Sequence, residues 1–210
     1  MHPSIKLEKI PNKGKGLIAL EKIPIGTIIV KELPIVKIPS NETIFSDMFQ
    51  LLFIIVNADA PIKKLFSALL PESPDNFMHH KKNIFKELKN LSKMKNKLAN
   101  KIYYHFITNF SSDEIVLLCA KYICNAFDFG PAGPVILPTG TLLNHSCNPN
   151  VTFKVENGFM VFKTNRNIKV GEELCDNYID PTLPIALRKS MLKKRYGFEC
   201  MCTKCLNEMA

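Results

Sequence analysis

Arginine is scarce in this basic chain. Three of its 28 basic side chains are arginine (Arg166, Arg188 and Arg195) and the other 25 are lysine, against 19 acidic side chains. Proteins that read nucleic acids favour arginine, because its planar guanidinium binds phosphates and guanine through two parallel hydrogen bonds. The net charge of +9 therefore indicates a solvated, lysine-rich surface more than a nucleic-acid interface. An acidic partner, such as nucleic acid or a nucleosomal surface, is the alternative.

Long apolar segments are also missing. The longest apolar run, Leu51 to Val56, is far shorter than the roughly 18 residues that span a bilayer, and Met1 to Ile10 lacks the apolar region of a signal peptide. We expect a soluble intracellular protein, nuclear or cytoplasmic, without a membrane partner. With 46% hydrophobic and 22% charged residues, the 210 residues can bury one sizeable core, so one domain with an inserted lobe is expected.

Glycine and cysteine are both absent between residues 41 and 118. Prolines at 61, 71 and 74 separate apolar segments there, and lysines line the polar faces of residues 81–101. We interpret about 40–110 as a helical insertion. Its first helix, near Asp47 to Asn57, is too apolar to be exposed all round, so it is expected to pack on the β core.

A further helix is predicted after this region. Ser111 and Glu114 have the spacing of a capping box, and apolar residues continue at helical spacing as far as Ala126. This helix delivers Asn125 and the following Phe127 to the next part of the chain. Asn125 can equally be a helix C-terminal amide without a functional role.

Strands are expected on both sides of the helical region. Lys13-Gly14-Lys15-Gly16 predicts a tight loop, and the β-branched residues from Thr27 to Val30 predict a strand. Alternating apolar residues on both sides of Asn157-Gly158 predict a hairpin, because this dipeptide favours a type I′ turn. Ile185 to Tyr196 predicts a short basic helix that ends at Gly197.

The cysteines indicate metal binding. There are seven, an odd number, and Cys200-x-Cys202-x-x-Cys205 places three of them within six residues. Structural Zn²⁺ needs four ligands in a tetrahedron, so one ligand is missing from the tail. We assign it to Cys147, which lies on a polar turn, whereas Cys119 falls on the apolar face of a helix and Cys175 in a strand. The alternative is that the tail carries three free thiols.

The segment Asn144-His145-Ser146-Cys147-Asn148-Pro149-Asn150 places an amide, an imidazole and a thiol close together, on a turn that Pro149 imposes. Together with Lys13-Gly14-Lys15-Gly16-Leu17, Gly171-Glu172-Glu173-Leu174, Asn177-Tyr178 and the cysteine tail, it resembles SET-domain protein lysine methyltransferases. Cys124-Asn125-Ala126-Phe127 and Tyr178-Ile179-Asp180 are most similar to the SET and MYND-domain branch. The resemblance covers residues 4–40 and 112–207.

The chain departs from that branch in three ways. Residues 40–110 lack the cysteine cluster of a MYND finger, and the large C-terminal helical domain is absent. Asp176 also stands where the family has a less acidic residue. The resemblance implies an α+β, predominantly β SET fold with a knot-like crossing. It places a SET domain over 1–199, with the insertion at about 40–110, and a zinc-binding post-SET tail over 200–210.

The resemblance also implies roles for individual residues. The methyl donor would be S-adenosylmethionine, held at its methionine end by the backbone around Gly14 and Gly16, and the residues expected to bind it are Lys13, Gly14, Lys15, Gly16, Asn125, Asn144, His145, Tyr178 and Phe198. The lysine channel would be walled by Phe127, Tyr178 and Tyr196, with Tyr178 as the catalytic residue. One structural Zn²⁺ would be bound by Cys147, Cys200, Cys202 and Cys205.

The implied reaction transfers a methyl group from the sulfonium of S-adenosylmethionine to a neutral lysine amine of a histone tail or another protein. A monomer is expected. Two alternatives come from other functional classes: a catalytically silent SET-like module that binds a peptide, and a zinc-stabilised protein that binds nucleic acid.

Overall fold

A computed structural model describes residues 1–39 and 46–209 of the chain. The predicted start of the insertion at residue 40 and the last residue of the predicted tail lie outside the described residues. The strands are β1 (Ile5–Ile10), β2 (Gly14–Ala19), β3 (Ile28–Glu32), β4 (Val36–Lys37), β5 (Ala126–Asp128), β6 (Pro134–Ile136), β7 (Asn144–His145), β8 (Val151–Glu156), β9 (Phe159–Thr164) and β10 (Glu173–Asp176). The α-helices are α1 (Asp47–Val56), α2 (Ala60–Ser67), α3 (Lys81–Lys93), α4 (Lys97–Asn109), α5 (Ser112–Asn125), α6 (Ile185–Tyr196) and α7 (Thr203–Asn207).

The chain forms two compact units. The first contains residues 1–34 and 137–210 and is rich in strands, and the second contains residues 35–136 and is rich in helices. The predicted α+β class is therefore confirmed. Each helix in the described part of the chain is too short or too polar to cross a lipid bilayer.

The first unit contains two sheets. One has the strand order β1-β2-β10-β7, in which β7 and β10 run parallel and the other pairs are antiparallel. The other has the order β3-β9-β8. The predicted hairpin joins β8 to β9, and Asn157 and Gly158 both have positive φ angles, of 49° and 78°, as a type I′ turn requires.

The glycine segment near the N-terminus corrects one prediction. Gly14 and Gly16 lie inside β2, paired with β1, and the turn is made before them by residues 11–13, with Asn12 at a φ of 61°. Glycine was a misleading turn signal here. Gly14 has a φ of 79° within the strand, and Gly16 packs closely against the Asn144 amide, so both positions need glycine for reasons other than a turn.

The second unit packs α1 to α5 around one apolar core beside the sheet β4-β6-β5. The apolar α1 is buried against α5, β4 and β6 of this unit, where Phe49 meets Phe106 edge to face at 5.4 Å. The predicted capping box is present, since Ser111 and Glu114 each hydrogen-bond the other's backbone N–H. Pro61 does not separate helices as predicted, because it lies in the first turn of α2, where its missing N–H costs no hydrogen bond.

Candidate active site and thiol cluster

The Asn-His-Ser-Cys segment lies beside the strand that leads to Tyr178. β7 pairs in parallel with β10, so that Asn144 is opposite Cys175 and His145 is opposite Asp176. The backbone N–H of Ser146 continues the ladder by donating to the carbonyl oxygen of Asp176, at 2.8 Å. This register places Asn144 at the edge of the sheet and carries Tyr178 just past the end of β7.

The turn before β7 is held by Glu32 at the end of β3. Its carboxylate accepts hydrogen bonds from the backbone N–H groups of Thr139 and Gly140, at 2.8 and 2.6 Å. Gly140 also packs against the ring of Phe162, which a Cβ would approach to 2.5 Å. The entry of the chain into β7 is therefore fixed by one charged and one steric contact.

Asn144 and the glycine strand meet through Glu173. The Asn144 amide donates to the Glu173 carboxylate at 2.9 Å and to the Lys15 carbonyl at 3.1 Å, and Lys13 forms an ion pair with Glu173 at 2.6 Å. A Cβ on Gly16 would lie 2.7 Å from the Asn144 amide nitrogen. Burial opposes the charge of Lys13, but the hydrogen bond and the charge of Glu173 outweigh it and raise the pKa of that amine. The predicted cofactor residues 13–16 and 144 therefore form one contiguous surface.

Tyr178 is surrounded by aromatic rings. Its ring centroid lies 4.9 Å from that of Tyr196, 5.3 Å from that of His145 and 6.4 Å from that of Phe198. Its hydroxyl donates to the carbonyl oxygen of Leu143 at 2.8 Å, and its carbonyl oxygen accepts from the hydroxyl of Tyr196 at 3.1 Å. Both ends of Tyr178 are thus positioned by hydrogen bonds within the first unit.

His145 is buried directly behind Tyr178. Its Nδ1 accepts a hydrogen bond from the backbone N–H of Tyr178 at 3.0 Å, and its Nε2 lies 3.3 Å from the sulfur of Cys147. Burial, with smaller effects from the charges of Lys13 and Arg188, lowers the pKa of His145 to about 4. The imidazole is therefore neutral at neutral pH.

The four predicted metal ligands come together. The sulfur atoms of Cys147, Cys200, Cys202 and Cys205 all lie within 4.8 Å of one another, although 53 residues separate Cys147 from Cys200. Cys147 lies 3.5 Å from Cys205 and 3.9 Å from Cys200, close to the roughly 3.8 Å between sulfurs that Zn–S bonds of about 2.3 Å impose in a tetrahedron. Four thiols at this spacing fit a structural zinc ion.

The electrostatics of the thiol cluster differ from one thiol to the next. Burial raises the pKa of Cys147 to about 11 and also raises the pKa of Cys200. Burial disfavours the charge of Cys202, but backbone N–H groups of Cys205 and Cys147 donate to its sulfur, and the pKa falls to about 7. Arg188 of α6, only 2% exposed, places Nη2 3.8 Å from the sulfur of Cys205 and 2.6 Å from the carboxylate of Glu208. A buried cation beside four thiols offsets part of the charge that a metal thiolate site carries. Cys119 and Cys175 lie outside the cluster, as expected.

Asp176 is a buried acid without a polar partner. Its side chain is 1% exposed, and neither carboxylate oxygen has a hydrogen-bond partner within residues 1–39 and 46–209. Burial raises its pKa well above the ordinary value of an aspartate. The parallel register places Asp176 on the same face of the sheet as His145.

Two predicted site residues belong to the second unit. Asn125 ends α5, and its amide nitrogen donates to the carbonyl oxygens of Leu70 and Lys121, at 2.6 and 2.8 Å. One N–H group thus bonds within α5 and the other bonds residue 70, so that a ligand would have to use the side-chain oxygen. Phe127 lies in β5. The roles of Asn125 and Phe127 at the site stay predictions.

Sequence reasoning missed three side chains that position the site: Glu173, Glu32 and Asn150. The Asn150 side-chain oxygen accepts from the backbone N–H of Cys175 at 2.8 Å, and its amide donates to the Glu173 carbonyl at 2.8 Å, so it extends the ladder of β10. Glu173 and Asn150 lay within segments already singled out, which was a usable signal. No sequence signal indicated Glu32, because the two backbone N–H groups that it binds are 107 and 108 residues away along the chain.

Comparison with known proteins gives the family. The SET domain profile matches residues 14–179. A SET domain-containing protein of Acanthamoeba polyphaga mimivirus is 45% identical over 197 residues, which cover 94% of this chain and 75% of that protein. The Homo sapiens histone-lysine N-methyltransferase SMYD3 is 36% identical over 91 residues, or 41% of this chain and 21% of the enzyme.

A solved structure supports the fold at low identity. The SET domain of LSMT, crystallised with lysine and AdoHcy, aligns with a TM-score of 0.70 and 16% identity over 94% of this chain and 52% of that chain. This chain therefore spans about half of that structure and about a fifth of SMYD3. The predicted resemblance, including its SET and MYND-domain branch, is confirmed, and the chain belongs to the SET domain family.

Proposed function

We propose that this chain is a protein-lysine N-methyltransferase that uses S-adenosylmethionine. The observation that carries the proposal is the placement of Tyr178, whose backbone and hydroxyl are both held by hydrogen bonds inside a cluster of aromatic rings. The relatives support it, because SMYD3 is named a histone-lysine N-methyltransferase and SMYD2 an N-lysine methyltransferase. The LSMT structure was solved with lysine and AdoHcy.

The surface formed by residues 13–16 and Asn144 fits the proposed cofactor. Gly16 lets the Asn144 amide and the Glu173 carboxylate lie close against the strand, since a Cβ there would be 2.7 Å from the amide nitrogen, and these two groups suit the ammonium and hydroxyl groups of the donor. The backbone of Gly14 to Gly16 would hold its methionine end, Asn144 and the backbone of His145 its adenosine, and Phe198 would cover the adenine. When bound, S-adenosylmethionine supplies an electrophilic methyl group on a positively charged sulfur.

The residues of this chain would act by orientation and by excluding water. The rings of Tyr178, Tyr196 and Phe198 offer an apolar wall, which favours the neutral form of an entering lysine amine because burial disfavours its ammonium form. The Tyr178 hydroxyl, already held by the Leu143 carbonyl, would present a fixed dipole at the reacting centre. Alignment of this kind lowers a barrier without a chemical step on the enzyme.

The substrate class is proposed to be a lysine of a histone tail or of another protein, and the four cysteines are proposed to hold one structural Zn²⁺. A transfer assay with radiolabelled methyl donor, against purified histones and against a cell lysate, tests the activity. Calorimetry with S-adenosylmethionine and its demethylated product tests cofactor binding. Binding without transfer to either substrate set would favour a silent peptide-binding module, and neither binding nor transfer would reject the proposal.

A further inference from the structure

The side chain of His145 has no part in the proposed catalytic roles, which use only its backbone. It is nevertheless 4% exposed and lies between two functional groups, with the backbone N–H of Tyr178 on one side and the sulfur of Cys147 on the other. One side chain thus contacts both the proposed catalytic tyrosine and the thiol cluster.

The hydrogen-bond pattern fixes the tautomer of this imidazole. A backbone N–H can only donate, so Nδ1 must be the acceptor for Tyr178 at 3.0 Å. A neutral imidazole has one proton, which is then on Nε2 and points to the Cys147 sulfur at 3.3 Å. A thiolate bound to a metal is an acceptor for such a donor, so the two contacts are compatible only in this tautomer.

The two contacts act on different properties. The N–H of His145 points at the sulfur of Cys147, where it would hydrogen-bond that ligand in a metal-loaded site. The acceptor nitrogen of His145 positions the Tyr178 backbone through its N–H group, while the Tyr196 hydroxyl positions the same residue through its carbonyl oxygen. A displaced imidazole would therefore change both the metal site and the position of the tyrosine ring.

We propose that His145 is a positioning residue that couples the zinc site to Tyr178, through an Nε2–H bond to the Cys147 thiolate and an Nδ1 bond from the Tyr178 backbone. The inference deepens the proposed methyltransferase function and rests on it for its catalytic half only. Filling the metal site would order the imidazole, and the imidazole would hold the tyrosine in its transfer position.

Two substitutions separate the contacts. His145→Asn places an amide oxygen near the position of Nδ1 and has no donor to reach Cys147. His145→Gln places an amide N–H near the position of Nε2 and has no acceptor at Nδ1. Loss of a group that hydrogen-bonds a metal ligand typically lowers metal affinity or activity about 10–100-fold. We expect His145→Asn to lower zinc affinity by about that factor, and His145→Gln to retain zinc more tightly while losing more of kcat at saturating zinc.

The measurements are a chelator competition for zinc, methyl transfer at saturating zinc, and ¹⁵N chemical shifts of the histidines in the zinc-loaded wild type. The His145 ring signals are assigned in the wild type by through-bond correlation to its backbone resonances, and we expect the shifts of an Nε2–H tautomer. An Nδ1–H tautomer would overturn the proposal, even if neither variant folds. Equal zinc affinity in both variants would overturn it as well. If the wild type transfers no methyl group, the proposed function fails, while the tautomer and zinc affinities still decide the contact to Cys147.

Discussion

The orphaned carboxyl of Asp176 makes the stability of this protein depend on pH in a specific way. Burial raises the folded-state pKa of Asp176 above the ordinary value of 3.8 that the unfolded chain has. Between these two values the folded state keeps a proton that the unfolded state has released. The contribution of this group to stability is therefore fully present below the unfolded pKa and is lost as pH rises towards the folded pKa, by about 1.4 kcal/mol per pH unit for one proton.

Asp176→Asn removes this proton with little change in side-chain volume. Between the unfolded and folded pKa values of Asp176, we expect the free energy of unfolding of the variant, minus that of the wild type, to increase by about 1.4 kcal/mol per pH unit and to level off above the folded pKa. Urea unfolding at several pH values with excess zinc, followed by far-ultraviolet circular dichroism, measures this difference. Any contribution of the thiol cluster is common to both proteins and cancels.

Asp113→Asn is the matched control, because Asp113 is an exposed residue in a surface ion pair with Lys81 at 3.0 Å. It should leave the pH dependence of the wild type in place, since exposed pairs contribute little to stability. A difference between Asp176→Asn and the wild type that stays constant with pH would refute the reasoning. Asp176 would then be ionised in the folded protein and stabilised by a partner.

Three further predictions concern the proposed activity. Tyr178→Phe should keep the fold and the cofactor affinity but lower kcat by a factor of roughly 10²–10³, since only the hydroxyl is removed, and near-normal turnover would move the catalytic role to another residue. Gly16→Ala should weaken binding of S-adenosylmethionine more than about tenfold in calorimetry and lower the free energy of unfolding by about 1–3 kcal/mol, because the added Cβ would lie 2.7 Å from the Asn144 amide nitrogen. An unchanged affinity would show that Gly16 is not part of the cofactor site. Removal of zinc by a chelator should abolish methyl transfer before circular dichroism reports unfolding, and Cys147→Ser should have the same effect. Cys119→Ser is the control and should retain stoichiometric zinc. Metal analysis that finds no zinc in the pure protein would reject the site.

Local chemistry made part of this structure predictable. The hairpin turn at Asn157-Gly158 and the capping box at Ser111 each need particular residue types at fixed spacing, and both form as expected. The helix that ends at Gly197 follows the same logic, with that glycine at a φ of 77°. In each case the interaction that decides the structure lies within a few residues.

Long-range pairing explains what was missed. The bond from Asn144 to Lys15 spans 129 residues, and the ion pair of Lys13 with Glu173 spans 160, so that no local pattern indicates either. The resemblance grouped these segments without naming the glutamate that joins them. The absence of a partner for Asp176 is likewise a property of the packed interior, although its position beside Tyr178 marked it in the sequence as unusual.

The spacing of the four thiols also sets an order of events during synthesis. Cys147 precedes Cys200 by 53 residues, which corresponds to about 3–10 s of translation at about 5–20 residues per second. Hairpins such as β8–β9 form within about 10 µs. The β segments between the first ligand and the other three can therefore fold while Cys147 is still a lone thiol, and capture of a metal ion becomes a late step that fixes α6 and the tail onto a sheet already made.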